Sequence, residues 1–374
     1  RGSYTASTDS LTPADLKYFG GKAANFGFLR RQLPANSPEA IAISFDLWDE
    51  YLDQQLPNGT SLRAFISDRL ARHSYPPNLA VLRADLADIQ EVIEDEGVFT
   101  AAQREQIAAA LLARFDPSRK IRFRSSTNVE DTDQFVGAGL YDSYSGCLAD
   151  DQDPDNSGPS ACDPSEPKER GVFRAIRKVY ASFYNENAVL ERLRHGVDES
   201  KVGMAILVHY SAPDETELAN GVATVNFQRR SAGHHYQAEL VTQKGAVSVT
   251  NPDGTAQPEV VQVSFHGFTP FVQVRQWSSL VPFGATVLQK DSEYLAFANF
   301  FSQTAKAFEA YYPGKTNYTL DFEYKKLVPG GLSVKQVRQL PQPDPDSTEA
   351  TFLLHAPDEW EVFQGEYGDV FANH

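Results

Sequence analysis

The sequence has no long apolar run and is short of basic residues. Its best apolar stretch, Val202 to Val208, is seven residues, against the roughly 18 that a membrane-spanning helix needs. No transmembrane segment is therefore expected. Lysine and arginine number 34 against 50 acids, a formal net charge of −16. Such a chain lacks the basic surface on which phosphate-backbone binding draws, which excludes nucleic acid as a partner. Cysteine is nearly absent as well. Cys147 and Cys162 flank a stretch rich in Asp, Pro, Gly and Ser. Either they form a disulfide that closes this stretch and implies an oxidising compartment, or they are two unrelated exposed thiols. The chain opens Arg1-Gly2-Ser3, without methionine, as a mature or trimmed product would, and this leaves a leader undecided. Hydrophobic residues are not lacking. At 41%, with 11% aromatics, they rule out wholesale disorder, and the length suggests two or three packed units.

The negative charge is unevenly placed. Cys147 to Arg170 carries a net −5, and Gln339 to His374, with eight acids and no Lys or Arg, carries −8. These two segments hold 13 of the 16 excess negative charges. The rest of the chain is close to neutral, so the overall charge does not exclude a small anionic ligand.

Periodicity makes the first half rich in helices and the second half rich in strands. A helix is expected over Ala23 to Leu33, a strand over Ala40 to Phe45, and helices over Ser61 to His73, Leu79 to Glu94 and Ala101 to Phe115. Lys120 to Arg124 reads as a strand entering a polar turn, Ser125 to Asp133, and Val172 to Arg194 as one long helix closed by Gly196. From Val202 onward strands with intervening turn signals dominate, interrupted by a helix over Ser292 to Tyr311. There is no internal repeat. The expected fold class is α/β (mixed α+β). The expected units are residues 1–200 with an acidic insertion at 147–170, residues 201–340, and a Pro/Asp-rich linker leading into a patterned stretch, Ala350 to Phe371, that looks like the start of a further unit.

Three motifs carry chemistry. Gly20-Gly21-Lys22 precedes a helix, where glycines allow close approach to unpaired N–H groups and the lysine adds a point charge; the spacing is not that of a P-loop, and a plain tight turn would give the same pattern. Arg122 and Arg124 share one face of a strand that leads to Ser125 and Ser126, an arrangement suited to oxyanions; a surface arginine paired with Glu130 or Asp131 is the simpler reading. Asp321 and Glu323, and Gln336 and Arg338, each share a strand face. Paired as a hairpin they would form one patch, with two carboxylates and an amide oxygen as hard ligands for Mg²⁺; otherwise they line a solvated edge. Asp151, Asp153 and Asp155, with Asn156 and Gly158, have the 1-3-5 spacing of Ca²⁺ loops, although position 12 is Cys162 in place of Glu. A solvated acidic insertion is the alternative.

In this order the blocks resemble the nucleotide-binding region, or PEP/pyruvate-binding domain, of the phosphoenolpyruvate synthase and pyruvate phosphate dikinase family. The resemblance rests on Gly20 to Leu29, Phe123 to Asp131 with Phe135-Val136-Gly137, Val179 to Asn185, Gly203 to His209, Asp321 to Tyr324 and Lys335 to Arg338. It runs from about residue 18 to 340.

The resemblance implies an ATP-grasp-like fold and MgATP binding. It implies that Lys22 and Arg124 hold phosphates beside Gly20 and Gly21, that Asp321 and Glu323 help place Mg²⁺, and that Gln336 and Arg338 complete the γ-phosphate end. His209 stands where the family has an adenine-side Gln. The family pattern Gly-Val-x-Phe-Thr becomes Gly221 to Val225, and Gly-Leu-Gly-Glu becomes Gln243-Lys244-Gly245. The implied activity is an ATP-dependent, dikinase-type phosphotransferase that delivers phosphate to a histidine. No Thr-Ser-His motif occurs, so the acceptor would lie on another domain or protein. A secreted, catalytically inactive module on the same fold is the alternative. The compartment is cytoplasmic by resemblance and extracytoplasmic if Cys147 and Cys162 are bonded.

Overall fold

The computed structural model describes residues 2–129, 139–153, 157–212, 216–230, 233–249, 254–266, 269–311, 314, 316–329 and 331–340. The expected linker and further unit beyond residue 340 lie outside the described residues, as do Glu130, Asp131, Phe135, Val136, Gly137, Asp155 and Asn156. The chain divides after Pro341.

The first half contributes β1 (Thr5–Ser7), α1 (Leu16–Gln32), β2 (Ala40–Ile43), α2 (Phe45–Leu52), α3 (Leu62–Leu70), α4 (Leu79–Glu91), α5 (Ala101–Leu112), β3 (Ile121–Thr127), β4 (Ser143–Gly146), α6 (Val172–Ala181) and α7 (Glu186–Arg194). The second contributes β5 (Met204–Tyr210), β6 (Glu217–Arg230), β7 (Gly233–Lys244), β8 (Glu259–His266), β9 (Thr269–Gln276), α8 (Leu295–Tyr311), β10 (Asn317–Leu327) and β11 (Gly331–Leu340). This is the expected mixed α+β class, with helices gathered toward the N-terminal part and long strands toward the C-terminal part. The long helix expected over Val172 to Arg194 is two helices. The Ser182 hydroxyl donates back to the Val179 carbonyl at 2.7 Å, and the Asn185 side-chain amide donates to the Leu140 carbonyl and to Asp142.

Strands assemble into two sheets, a five-stranded one in the order β1-β2-β5-β3-β4 and a six-stranded one in the order β11-β10-β6-β7-β8-β9. The boundary expected at residue 200 falls before β5, which pairs antiparallel with both β2 and β3. Strand alternation divides the five-stranded sheet between two cores. Ile41, Ile43, Ile121, Phe123, Ile206 and Val208 face the core built by α2 to α7. Ala40, Ala42 and Leu207 face a second core shared with α1, α8 and the six-stranded sheet. On that second face β3 carries Arg122, Arg124 and Ser126, so polar side chains are set where the two sheets approach.

Gly20 interrupts α1. Its φ of 75° is in the left-handed region, and a Cβ there would lie 2.1 Å from the Ser126 carbonyl oxygen. The chain restarts as helix beyond it. The Ser126 hydroxyl, fully buried, accepts from the Ala23 N–H at 2.9 Å and donates to the Phe19 carbonyl at 2.7 Å. One side chain of β3 thus holds both arms of the α1 kink. Ser126→Ala is expected to lower unfolding free energy by about 1–3 kcal/mol, since it strands a buried donor and a buried acceptor; Gly20→Ala should cost more. Urea unfolding monitored by circular dichroism checks both, and a Ser126→Ala midpoint equal to wild type would show that the kink does not depend on this contact.

Candidate functional site

The β10–β11 hairpin forms as its spacing suggests. Asp321 stands opposite Arg338, and Glu323 opposite Gln336. Arg338 places Nε and Nη2 each 2.9 Å from Asp321 Oδ2. Glu323 and Gln336 meet the first sheet: Arg124 Nη2 donates to Glu323 Oε2 at 2.6 Å and to Gln336 Oε1 at 3.0 Å, and its Nη1 donates to the Lys335 carbonyl at 3.2 Å. Arg124 is largely buried, with a side chain only 12% exposed, and its carboxylate partner is therefore a residue 199 positions away. Lys22, two residues past the α1 kink, reaches Ser125 Oγ at 3.2 Å. The structure thus gathers Gly20, Gly21, Lys22, Arg124, Asp321, Glu323, Gln336 and Arg338 around the junction of β3, α1 and the hairpin.

The electrostatics follow from this gathering. Desolvation alone would raise the Glu323 pKa, but the charge and hydrogen bond of Arg124, with Lys22 and Lys335 behind them, hold it at about 2. Glu323 is a carboxylate at any physiological pH. Lys335 was not singled out by motif. Desolvation, together with the charges of Lys325 and Arg124, lowers its pKa to about 7, against the supporting charges of Glu217 and Glu323. Arg122 donates to Ser145 Oγ at 3.3 Å. The signal for Lys335 was present as Val334-Lys335-Gln336-Val337, a pattern that strict alternation cannot satisfy.

His209 lies on β5 opposite Arg122. It is 1% exposed, stacks on Phe26, and places Nδ1 2.7 Å from the Tyr210 carbonyl. That contact makes Nδ1 the protonated nitrogen and Nε2 the acceptor, and among the described residues Nε2 has no partner. Desolvation first, then the charges of Lys335 and Arg124, bring the pKa to about 3. The imidazole is neutral. Thr224 stands opposite Asp321 in the sheet. The Gln243 carboxamide is taken up by Ser278 and the Gln257 carbonyl, a packing role.

As metal donors, Asp321, Glu323 and Gln336 are hard oxygen ligands on one strand face, and the Glu323 and Gln336 oxygens are engaged by Arg124. The set fits Mg²⁺ in kind, with Arg124 as the competitor that a cation would meet. Among the described residues no group of three His, Cys, Asp or Glu could hold a metal ion. In the acidic insertion, Asp151 accepts from the Val172 N–H at the start of α6 and lies 3.8 Å from Arg104, and desolvation pushes its pKa up to about 6. Asp153 is described, whereas Asp155, the third candidate Ca²⁺ ligand, is not. Asp150 is bound by Ser160, Ala161 and Arg170, and Lys120 pairs with Asp163 and Glu166. Asp150, Asp151, Asp163 and Glu166 are thus acceptors for nearby backbone, for Ser160 or for Lys120, and these four are not merely solvated. Cys147 and Cys162 are bonded to each other.

Residues 16–251 match the family model described as pyruvate phosphate dikinase, AMP/ATP-binding domain. Among curated proteins, a rifampicin phosphotransferase from Streptomyces sviceus is 26% identical over 208 residues, 55% of this chain and 20% of that protein. A phosphoenolpyruvate synthase from Pseudomonas aeruginosa is 23% identical over 261 residues, 68% of this chain and 29% of that protein. The chain therefore spans less than a third of either relative. The matched stretch contains Lys22, Arg124 and His209 and stops before the hairpin. Among the described residues no helix is long and apolar enough to cross a membrane.

The depressed His209 pKa has a testable sign. Below about pH 6.5 the unfolded chain takes up a proton at this position that the native state refuses until about pH 3, so His209 removes stability as pH falls through that window. Asp151, with its raised pKa, acts oppositely near pH 6, so the variant difference is the clean measure. Replacing His209 by Gln should flatten the fall in urea midpoint between pH 7 and pH 5. Parallel wild-type and variant profiles would show that the imidazole is not held neutral.

Proposed function

The chain belongs to the pyruvate phosphate dikinase AMP/ATP-binding domain family, and from that premise we propose that it is a MgATP-binding phosphotransferase module on an ATP-grasp-like fold, passing phosphate to a histidine on another domain or protein. The observation that carries this reading is the convergence of Lys22, Arg124, Lys335 and Arg338, four basic side chains against the two carboxylates Asp321 and Glu323, in a chain whose net charge is −16. A local cationic excess inside an acidic protein suits a polyanion.

Phosphoryl transfer asks a protein mainly for positioning and charge neutralisation. Gly20 lets α1 pack directly on the Ser126 backbone, which sets Lys22 beside Ser125 as a point charge, and Arg124 and Arg338 offer planar guanidinium groups for phosphate oxygens. Asp321, Glu323 and Gln336 are the residues suited to hold magnesium, which would supply charge neutralisation for the phosphates. His209, neutral and with Nε2 as an acceptor, would face the base. The two relatives carry the names of enzymes with different acceptors, which accords with a shared nucleotide module and separately evolved delivery.

Isothermal titration of the 374-residue chain with MgATP and a non-hydrolysable analogue is the direct test. Binding is expected below millimolar concentration, with Lys22→Gln weaker by about tenfold. No heat at millimolar nucleotide would end the proposal.

The Cys147–Cys162 bond favours a second reading, in which the chain works in an oxidising, extracytoplasmic compartment as a catalytically inactive binding module. Mass spectrometry of unreduced protein from its native source tests the second reading. A bridged peptide is expected from the Cys147–Cys162 bond, and two alkylated thiols would remove the support for an oxidising compartment.

A further inference from the structure

In β11 the register slips by one residue. Glu323 pairs with Gln336, but the next residue, Tyr324, pairs with Val334, so Lys335 is the unmatched residue of a β-bulge. Alternation explains why this matters. Val337 and Val334 are both buried in the second core, at 3% and 0% exposure. A regular strand would send two residues three apart to opposite faces and Lys335 into the core with Val337. The bulge keeps both valines inside and leaves Lys335 on the side of Gln336.

On that side its neighbours are largely spoken for. Arg124 has both Nη atoms engaged by Glu323, Gln336 and the Lys335 carbonyl. Lys325 is paired with Glu217, and Arg338 with Asp321. Lys335 is half-buried beside these groups and His209, yet among the described residues no carboxylate lies within ion-pair distance of its Nζ and no hydrogen bond holds it. It is a basic side chain at the cleft without a contact partner among the described residues, next to an arginine whose two Nη atoms are engaged.

We infer that Lys335 is a further phosphate-binding residue of this site, meeting the terminal phosphate of the nucleotide before Arg124 is released from Glu323. This rests on the nucleotide reading above. The bulge delivers the charge, and a flexible ammonium can follow a phosphate that the pinned guanidinium cannot.

Titration calorimetry with MgATP and AMP, on wild type and on Lys335→Gln and Lys335→Arg variants of the full chain, tests it. Lys335→Gln is expected to weaken ATP by about tenfold and AMP by less than about twofold, and Lys335→Arg to recover most of the ATP loss. An ATP affinity unchanged in Lys335→Gln overturns the inference while leaving the nucleotide reading intact. Equal losses for ATP and AMP, or a Lys335→Arg variant as weak as Lys335→Gln, also overturn it by assigning the effect to packing. A wild type that binds neither nucleotide overturns the nucleotide reading and this inference with it. Lys335→Arg keeps the charge and the bulge, so the comparison survives even if Lys335→Gln folds poorly.

Discussion

The site depends on one ion pair, Arg124 to Glu323, because it is where the two sheets are tied through polar atoms. Arg124 comes from a strand whose alternate residues sit in the helical core, and Glu323 from a strand whose alternate residues, Phe322 and Tyr324, sit in the core under α8. Each side chain is aimed by the apolar residues flanking it, so packing of two separate cores sets a single 2.6 Å contact. A charged pair at such a junction contributes modest net stability but a definite geometry, because leaving either partner alone in the cleft is costly. Gln336 and the Lys335 carbonyl complete the coordination of the guanidinium and fix its plane.

That pairing also means that the cleft is already neutralised at its centre. An incoming phosphate would compete with Glu323 for the same guanidinium atoms, and a divalent cation would compete with Arg124 for the same oxygens. The two exchanges support each other: a cation that takes Glu323 leaves Arg124 to the phosphate. On the proposed function, a site organised in this way would take a nucleotide and its metal as one complex. The peripheral cations, Lys22 and Lys335, then set the long-range attraction, in a protein whose excess acid lies mostly in an insertion and a tail.

Much of this arrangement was legible in the sequence. Asp321, Glu323, Gln336 and Arg338 were readable because period-two alternation puts each pair on one strand face without any knowledge of what lies across from it. Arg122 and Arg124 were readable for the same reason. Gly20 was legible as a glycine before a helix, but its need for φ near 75° came only with the Ser126 backbone that crowds it. The partner of Arg124 was not legible locally. Glu130 and Asp131 were the near candidates, and tertiary packing chose a carboxylate 199 residues away. Lys335 was hidden because a bulge breaks the very alternation used to assign faces. The break between α6 and α7 was hidden because no Gly or Pro marks it, and its signals are only Ser182 and Asn185, residue types favoured at helix ends. The acids of the insertion looked solvated because their acceptors' partners are mostly backbone N–H groups, which composition does not reveal.

The match to the AMP/ATP-binding family covers the Lys22 and Arg124 half of the cleft and ends before the hairpin that closes it. Contact joins the halves where similarity stops. Arg124 spends its donors on the hairpin, and the hairpin spends Glu323, Gln336 and a backbone carbonyl on Arg124. A hydrophobic pair at the same place would hold the sheets together without the cost of desolvating two charges. An ionic junction flanked by further lysines suits a cleft that opens its charges to a ligand, which is the behaviour that the proposed function asks of it.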